Sequence, residues 1–587
     1  MSAKDLSKFI DILRQNGELV EVNQHVDPEL EITEIVDRLS KHQHYNKAIL
    51  FSNTGKTFPV LINAFGSPKR MSLALGENHL DDLGQRVEQV LNLFLEPPKG
   101  WQTKLKMLPQ LYRLSKWFPK KVSGRGKCQE IVMSEPNLWQ LPILKCWPND
   151  GGQFITLPCV HTISPVTSHR NLGMYRMQVF DTRTTGMHWH PHKTGARHYE
   201  EYKKVGKVMP VTVTLGGDPV YTFAATAPLP ENIDEYLLAG FIREQGVRLV
   251  KCLTNDLWIP EDVDIVIEGY VDPSEPLVEE GPFGDHTGFY SLTDLYPQFH
   301  ITAITHRRQA IFPATIVGVP PMEDAYIAEA TERIFMPIIK KSLAPEITDM
   351  HLPIWGVAHN LVLISMRTSY SGQGFKVAQS FWGAGQMMFN KVMIIFDEEV
   401  NLRDYRSLLA ILSDCFVDFT RLLFSKGPLD VLDHSADTMG FGGKLCIDLT
   451  QAAKSPGKTE IQFLFANEGE NLMHQENSLS ENVTLISIIL EPETQRLSNE
   501  LKVWYVLSNI DPLRDISVVE NGGSCQILVD GRRKTKNLRW PNVITMSDEI
   551  IERVDARWNE LFSIDCIVSP SLAIKPLKVG NGVEIEK

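Results

Sequence analysis

The sequence predicts a multidomain α/β protein whose three regions differ in their hydrophobic pattern. Residues 1–125 combine amphipathic helices with two short strands, 126–310 contain short β-type runs separated by turn residues, and 311–587 alternate helices with strands. Alternating helices and strands are typical of a mostly parallel sheet, whereas closely spaced strands favour an antiparallel sheet or barrel. A chain of 587 residues is also too long for one hydrophobic core.

The first 125 residues are predicted to form a small α/β domain. Apolar residues recur at helical spacing over 80–95, and the dipeptide Asp27–Pro28 predicts a helix start with the aspartate as N-cap. The apolar runs 48–51 and 58–65 are predicted strands. From 96 to about 125 the chain is proline-rich and basic, which we interpret as a domain junction with an ordinary charged surface.

The region 126–310 contains eight short β-type runs, from FITLPCVHTIS at its start to AIFPATIVG at its end. One predicted helix, about 231–244, interrupts them. The region 311–587 is predicted to hold a mostly parallel sheet, with helices near 324–342, 375–390 and 402–413. Within it, 455–530 looks like an inserted lobe made of four β-type runs, IQFLFAN, VTLISIIL, WYVLSNI and CQILVDG. A helix at 547–562 closes the domain, and the last twenty residues are predicted to be an ill-ordered tail.

Charge and composition limit the possible functions. The formal net charge is −13 and the pI is about 5.8, which argues against a nucleic-acid partner. No apolar run is long enough to span a membrane, and the start has no signal-peptide pattern. The eight cysteines are dispersed and form no CxxC pair, which favours reduced thiols and a cytoplasmic enzyme. No P-loop, dinucleotide fingerprint, GxSxG or HExxH motif is present.

Histidines are concentrated in one stretch of the second region. Four of the 17 histidines, His188, His190, His192 and His198, lie within eleven residues, and Arg176 precedes them. In an extended chain the first three would share one face, although Pro191 restricts that stretch to a strand end or edge. This pattern indicates either a metal or phosphate site or a satisfied polar strand end.

Carboxylates form two further clusters. Glu231, Asp234 and Glu235 lie at the start of a predicted helix, where they either complement the helix dipole or supply a metal ligand. The 279–290 loop, EEGPFGDHTGFY, places several acidic residues and a histidine among glycines. It is either an acidic turn facing solvent or a fixed loop for proton transfer.

Four motifs in order now suggest a family: NLGMYRMQ at 171–178, GMHWHPHK at 186–193, NDLWIPEDVDIVIEGYV at 255–271 and EGPFGDHTGFY at 280–290. Together they resemble the UbiD-type decarboxylases, which are reversible (de)carboxylases that use prenylated FMN. The resemblance covers about 1–455 and 530–562. It implies an N-terminal α/β domain, a central split β-barrel that binds the flavin, and a C-terminal α/β domain used in oligomerisation.

The resemblance also implies binding roles for individual residues. Asn171, His192 and Glu235 match the ligands of a Mn²⁺ ion that anchors the cofactor phosphate, with K⁺ as a further ion, and Lys376 is similar to a phosphate-binding lysine. The cofactor-binding residues implied are Met174, Tyr175, Arg176, His188, Trp189, His190, Lys193 and Lys376.

Arg176, Glu280 and Asp285 match the catalytic trio of the family, with Asp in the last place as in its quinone-pathway members. By this analogy Arg176 orients the substrate and holds the two carboxyl pKa values apart, and either Glu280 or Asp285 protonates the carbon that lost CO₂. His286 would then be a supporting group.

The substrate implied is an aromatic or unsaturated carboxylic acid, such as a prenylated 4-hydroxybenzoate-type precursor of ubiquinone or menaquinone. Expected partners are a flavin prenyltransferase that supplies the cofactor, other copies of the chain (dimer to hexamer), and a membrane surface contacted without a span. Two alternatives remain: a metal-dependent hydrolase that uses the histidine cluster, and a non-catalytic flavin-binding assembly protein of a quinone pathway.

Overall fold

The computed structural model describes residues 3–95, 112–230, 233–451, 456–470, 479–536 and 538–586. Glu231 and most of the proline-rich junction lie outside these ranges. Within them the chain is mixed α/β, and none of its helices is both long and apolar enough to cross a bilayer.

The N-terminal sheet has four strands in the order Leu19–His25, Ala48–Asn53, Val60–Ile62 and Phe312–Ala314. The last of these pairs in parallel with Val60–Ile62, so the chain returns to its first sheet after more than two hundred residues. Its helices are Leu6–Gln15, Glu31–Ser40, Pro68–Leu75 and Leu80–Leu95.

One helix start differs from its prediction. Asp27 is not an N-cap, because the helix begins at Glu31 and Leu30 precedes it in the left-handed region at φ 68°. The Asp27 carboxylate instead accepts a hydrogen bond from the backbone N–H of Glu29 at 2.8 Å. The Asp-Pro pair therefore forms a turn ahead of the helix.

The central sheet has seven antiparallel strands and holds most of the candidate site residues. The strands Phe283–Gly284 and Tyr290–Ser291 form a separate hairpin beside it. The hydrogen-bonded order is Thr184–Gly186, Gln298–His306, Ile265–Val271, Met209–Leu215, Cys159–Ile163 and Arg170–Met174, with Ile131–Val132 also pairing with Gln298–His306. This order is an open path among the described residues, so the split-barrel closure stays a prediction. Helices Thr194–Val205 and Pro219–Thr226 pack on the strands Cys159–Ile163 and Arg170–Met174, and helix Glu235–Arg243 packs on Pro219–Thr226.

Both ends of the central sheet lead into the site. The edge strand Arg170–Met174 continues into Tyr175 and Arg176, and the opposite edge strand Thr184–Gly186 continues into the histidine-rich stretch. A β-bridge between Val179 and Thr185 joins the two segments. Because the sheet curves, residues that follow its two opposite edge strands lie close together.

The C-terminal sheet has five strands, and only its inner pairs are parallel. The order is Ile347–His351, Leu361–Met366, Val392–Asp397, Phe441–Asp448 and Leu422–Pro428. The last two form an antiparallel pair, which differs from the predicted parallel arrangement. The helices are Glu323–Ser342, Gln373–Trp382 and Tyr405–Ser413, close to their predicted positions.

The inserted lobe, here residues 456–530, contains a sheet of its own. Its strands follow the order Lys458–Phe465, Val483–Leu490, Ser524–Asp530 and Ile516–Asn521. The run WYVLSNI is not a strand, because it lies in the helix Asn499–Asn509, which the Ser498 side chain caps by accepting from Leu501 N–H. A short helix, Pro512–Asp515, follows it.

The C-terminal end packs onto the body of the protein. Helix Asp548–Leu561 contacts helix Glu31–Ser40, and the guanidinium of the fully buried Arg38 donates to Asp555 at 2.5 Å. The prediction of an ill-ordered tail is wrong for the described residues up to 586. Ile574 and Leu577 are buried, and Glu584 forms a β-bridge with Pro541.

Candidate active site

The 279–290 loop is built from two short antiparallel pairings. Val278–Glu280 pairs with Asp294–Tyr296, and Phe283–Gly284 pairs with Tyr290–Ser291. Because side chains alternate along a strand, Glu279 is exposed while Glu280 is fully buried. Asp285 is also buried, at 8% exposure, which excludes an acidic turn facing solvent.

Arg176 is bound to both buried carboxylates of this loop. Its Nε and Nη2 donate to the two oxygens of Glu280, each at 2.9 Å, and its Nη1 donates to Asp285 Oδ2. Nη2 also donates to Ser291 Oγ at 2.8 Å. The ring of Phe283 lies 4.8 Å from the guanidinium carbon. A bidentate pair with a third ionic contact fixes both the position and the plane of the guanidinium.

Both carboxylates of the trio are ionised at neutral pH. Burial alone would raise the pKa of Glu280, but Arg176 and a hydrogen bond from His188 outweigh burial and lower it to about 2. Burial likewise opposes ionisation of Asp285, yet the hydrogen bond from His286 and the charge of Arg176 hold its pKa well below the usual range. Arg176 therefore lowers both pKa values, which corrects the expectation that it holds them apart.

His188 and His190 form a hydrogen-bonded chain that ends on Glu280. His188 Nδ1 lies 3.0 Å from Glu280 Oε2, and its Nε2 lies 2.5 Å from His190 Nε2. Burial, and then the charge of Arg176, lowers the pKa of His188, and burial lowers that of His190 to about 3. Two neutral imidazoles satisfy this geometry, with His188 donating to the carboxylate and accepting from His190.

His286 is the cationic member of the 279–290 loop. Its Nδ1 lies 3.0 Å from Asp285 Oδ1, and its Nε2 lies 3.2 Å from Nε2 of His359, which precedes the second strand of the C-terminal sheet. Burial opposes the charge of His286, but Asp285, with help from Asp430 and Asp324, raises its pKa to about 9. Burial lowers the pKa of His359 to about 4, so His286 holds the proton of this pair.

A cavity of about 250 Å³ opens beside these groups. Asp285 lines it, whereas the fully buried Glu280 is covered by the groups that bind it. Its lining includes Met174, Tyr175, Arg176, His188, His190, Lys193, His286 and Asp430. The apolar part of the lining consists of Met174, Phe283, Val317 and Leu432, and a concave site with convergent polar groups is a candidate small-molecule site.

The implied cofactor-binding residues fall into two groups. Met174, Tyr175, Arg176, His188, His190 and Lys193 line the cavity. Trp189 is buried behind it, packed edge-on against Tyr175. Lys376 differs from its expected place, because its ammonium group is half exposed and lies 2.7 Å from Glu346 in the C-terminal domain.

Lys193 is better placed than Lys376 to meet a phosphate. It directly precedes the helix Thr194–Val205 and so lies at the positive end of the helix dipole, and burial lowers the pKa of its ammonium group. An anionic group in the cavity would stabilise the protonated ammonium group and oppose the effect of burial. The lining thus offers a cationic group to an anionic part of a ligand.

Two of the three implied metal ligands lie together. Glu235 Oε2 accepts from the backbone N–H of Leu172 at 3.0 Å, which places it next to Asn171, and the Asn171 side-chain nitrogen is buried without a partner. Their oxygens suit a hard divalent cation. His192 is exposed and its ring packs 5.8 Å from Phe389. Within the described ranges, no three His, Cys, Asp or Glu side chains are grouped as a metal site.

Sequence reasoning missed the contribution of the C-terminal domain. His359 contacts His286, and Asp430, in a loop after Leu422–Pro428, lines the cavity. Neither residue belongs to a motif, so only the fold reveals them. His198, part of the histidine cluster, lies elsewhere: it is buried with its Nδ1 2.8 Å from Thr162 Oγ1.

Comparisons with known proteins show which sequences and structures this chain resembles. Three models of the UbiD family match: the 3-octaprenyl-4-hydroxybenzoate carboxy-lyase N-terminal domain at 10–87, the Rift-related domain at 120–320 and the C-terminal domain at 325–449. An uncharacterized protein of Aquifex aeolicus is 47% identical over 458 residues, which are 78% of this chain and 93% of that protein.

Solved structures share the fold. Vanillic acid decarboxylase of Sedimentibacter hydroxybenzoicus in its closed form has a TM-score of 0.67 at 25% identity, covering 81% of this chain and 95% of its own. HmfF of Pelotomaculum thermopropionicum in complex with FMN has a TM-score of 0.64 at 22% identity, covering 76% and 94%. An evolved dimeric form of HmfF in complex with prFMN has a TM-score of 0.62 at 21% identity, covering 76% and 95%.

Proposed function

Since the chain belongs to the UbiD family of carboxy-lyases, which use prenylated FMN, we propose that it removes CO₂ from an aromatic or unsaturated carboxylic acid at the cavity beside Arg176. The observation that best supports this site is the three-way binding of Arg176 to Glu280, Asp285 and Ser291. A buried guanidinium held this firmly orients a carboxylate substrate without moving.

Prenylated FMN would supply the electrophilic carbon that accepts the bonding electrons when CO₂ leaves. Met174, Tyr175, His190 and Lys193 would hold it, with Lys193 and the following helix N-terminus against its phosphate. Asn171 and Glu235 would bind a Mn²⁺ ion near that phosphate. His192 would join them only after a change of side-chain position from its contact with Phe389.

Asp285 is the proposed proton donor to the carbon that loses CO₂. It lines the cavity, whereas Glu280 is covered, and it contacts the protonated His286. Because Asp285 is ionised in the ligand-free site, it must first take a proton, and His286 Nδ1 holds one 3.0 Å away. Transfer from His286 to Asp285 and then to carbon leaves His286 neutral, to be reprotonated from solvent. Glu280 would keep Arg176 in place.

A prenylated 4-hydroxybenzoate-type precursor in ubiquinone or menaquinone biosynthesis is the proposed substrate class. The family description and the Asp at position 285 support it. Such a lipid-like substrate would bring the enzyme to a membrane surface. We include in this proposal a cytoplasmic homo-oligomer supplied by a flavin prenyltransferase, which the eight free thiols and the family resemblance support.

The test is co-expression with a flavin prenyltransferase, followed by absorbance spectroscopy and CO₂ release from a panel of aromatic and alkenyl acids. We expect a flavin-type spectrum and CO₂ release from at least one hydroxybenzoate-type acid. A protein that binds no flavin under these conditions would contradict the proposal. Tightly bound zinc without visible absorbance would favour a metal-dependent hydrolase. Flavin binding with full function in Arg176→Ala would favour a non-catalytic assembly protein.

A further inference from the structure

The inserted lobe contacts the 279–290 loop through one fully buried tryptophan. Trp504, in the helix Asn499–Asn509, donates its indole N–H to the backbone carbonyl of Thr287 at 2.8 Å. Its ring also lies over Gly288, where a Cβ would come within 2.5 Å of Trp504 Cζ2, and 5.3 Å from the ring of Phe289. Three consecutive loop residues therefore rest on this side chain.

The carbonyl that Trp504 binds belongs to the same turn as Asp285. Gly288 N–H donates to the Asp285 carbonyl at 3.0 Å, and Asp285 N–H donates to the Phe289 carbonyl at 3.2 Å. Thr287 lies between these two bonds, next to His286. A shift of the Thr287 carbonyl would therefore move the backbone of Asp285 and His286 with it.

The same helix also supports the partner of His286. It packs against the short turn Ile354–Gly356, three residues ahead of His359. Trp504, Phe289 and Val357 belong to one apolar cluster, which continues into the C-terminal sheet. The lobe thus lies behind both imidazoles of the His286–His359 pair.

This support comes from a part of the chain outside the matched family models. Those models end at residue 449, and Trp504 lies 55 residues beyond. The neighbouring segment adds a second anchor, because Ile544 N–H donates to the Gly288 carbonyl at 3.0 Å. The loop is held from two sides by chain that the family models do not include.

We propose that the inserted lobe fixes the geometry of the 279–290 loop and that Trp504 is a positioning residue for Asp285 and His286. Only the catalytic consequence of this positioning role rests on the proposed function. Trp504 is not among the residues that line the cavity. It acts by holding the turn that sets the distance between the Asp285 carboxylate and the cavity.

The variant Trp504→Phe removes the indole N–H and keeps an aromatic ring. A matched control is Trp558→Phe, since Trp558 is also fully buried and its indole N–H also donates to backbone carbonyls, those of Ile564 and Asp565 at 3.1 Å, which lie outside the loop. We expect Trp504→Phe to lower kcat at least tenfold with KM changed less than twofold. Trp558→Phe, at a comparable loss of thermal stability, should leave kcat within twofold.

Hydrogen–deuterium exchange on the cofactor-free full chain gives a second readout that does not need activity. We expect faster exchange at 284–290 in Trp504→Phe and no change there in Trp558→Phe. Trp504→Tyr, which also removes the indole N–H and keeps an aromatic ring, should show the same local effect if Trp504→Phe does not fold. Unchanged exchange and kcat in Trp504→Phe, or equal effects in both tryptophan variants, would overturn the proposal.

The two readouts separate this inference from the proposed function. Faster loop exchange in a protein that releases no CO₂ from any acid would refute the proposed function and leave the positioning role intact. Normal exchange in an active enzyme whose kcat survives Trp504→Phe would refute the positioning role alone.

Discussion

His286 Nε2 lies 3.2 Å from His359 Nε2, so a histidine of the 279–290 loop and a histidine of the C-terminal domain share one proton. Only one of the two can be charged, and Asp285 selects His286. The two domains therefore meet at a titratable pair beside the candidate proton donor. The protonation state of this histidine pair, and with it the charge beside Asp285, therefore depends on pH.

Substitution of the buried Glu280 should displace the side chain of Arg176. Glu280→Gln replaces an ionised bidentate partner with an amide that cannot accept both N–H groups. We expect CO₂ release to fall by about 10²-fold or more. The exposed neighbour provides the control, and Glu279→Gln should retain activity within twofold. Equal losses in both variants would argue against the assigned roles.

Arg176→Lys tests whether geometry or charge matters at the centre of the trio. A lysine keeps the charge but cannot make the bidentate contact with Glu280 and reach Asp285 together. We expect kcat to fall about 10²-fold while flavin binding, followed by absorbance, is kept. Activity close to that of the wild type would show that a point charge suffices.

The His286–Asp285 pair should make stability fall at alkaline pH. The folded pKa of His286, about 9, exceeds its ordinary value of 6.5, so its contribution is complete below pH 6.5 and is lost as pH rises through 9. The loss should be at most about 3 kcal/mol. Denaturant unfolding between pH 6 and 9.5 should show a smaller decline in His286→Gln.

A surface ion pair supplies the control for that measurement. His300 pairs with Glu275 at the surface, and His300→Gln should keep the alkaline decline of the wild type.

Glu280 should affect stability at the acid end of the pH range. Its pKa of about 2 lies below the ordinary 4.5, so its stabilisation is present above pH 4.5 and lost as pH falls toward 2.

Two lysines give a direct test of the flavin phosphate site. Lys193 lines the cavity at a helix N-terminus, whereas Lys376 pairs with Glu346 at the surface. We expect Lys193→Met to weaken FMN binding by about tenfold or more in a calorimetric titration. Lys376→Met should bind FMN like the wild type. The opposite ranking would return the phosphate role to Lys376.

Much of the fold could be predicted because its elements have strong local patterns. The helices near 80–95 and 324–342 and the strands near 360–367 and 391–397 have clear periodicity or apolar runs. The strand predicted for WYVLSNI is wrong because its β-type residues are buried on a helix that packs against other elements. Tertiary contacts here override the local strand propensity. The prediction of an ill-ordered C-terminal tail failed because buried residues such as Leu577 pack against parts of the chain that are distant in sequence.

The site was predictable where motifs are contiguous. Arg176, Glu280 and Asp285 come from such motifs, and the structure places them in contact. His359, Asp430 and Trp504 were not predictable, because each joins the site through a long-range contact that leaves no local pattern. Lys376 pairs with Glu346 outside the cavity lining, so its phosphate-binding role stays a prediction.

The pairing of Phe312–Ala314 with Val60–Ile62 has a consequence for the order in which the protein folds. The N-terminal sheet lacks its fourth strand until residue 314 has left the ribosome, and Arg38 lacks Asp555 until the chain is nearly finished. The first domain in sequence is thus among the last to be completed. Nascent chains stopped before residue 548 should stay sensitive to protease in their first hundred residues, and chaperone binding during synthesis should be prolonged.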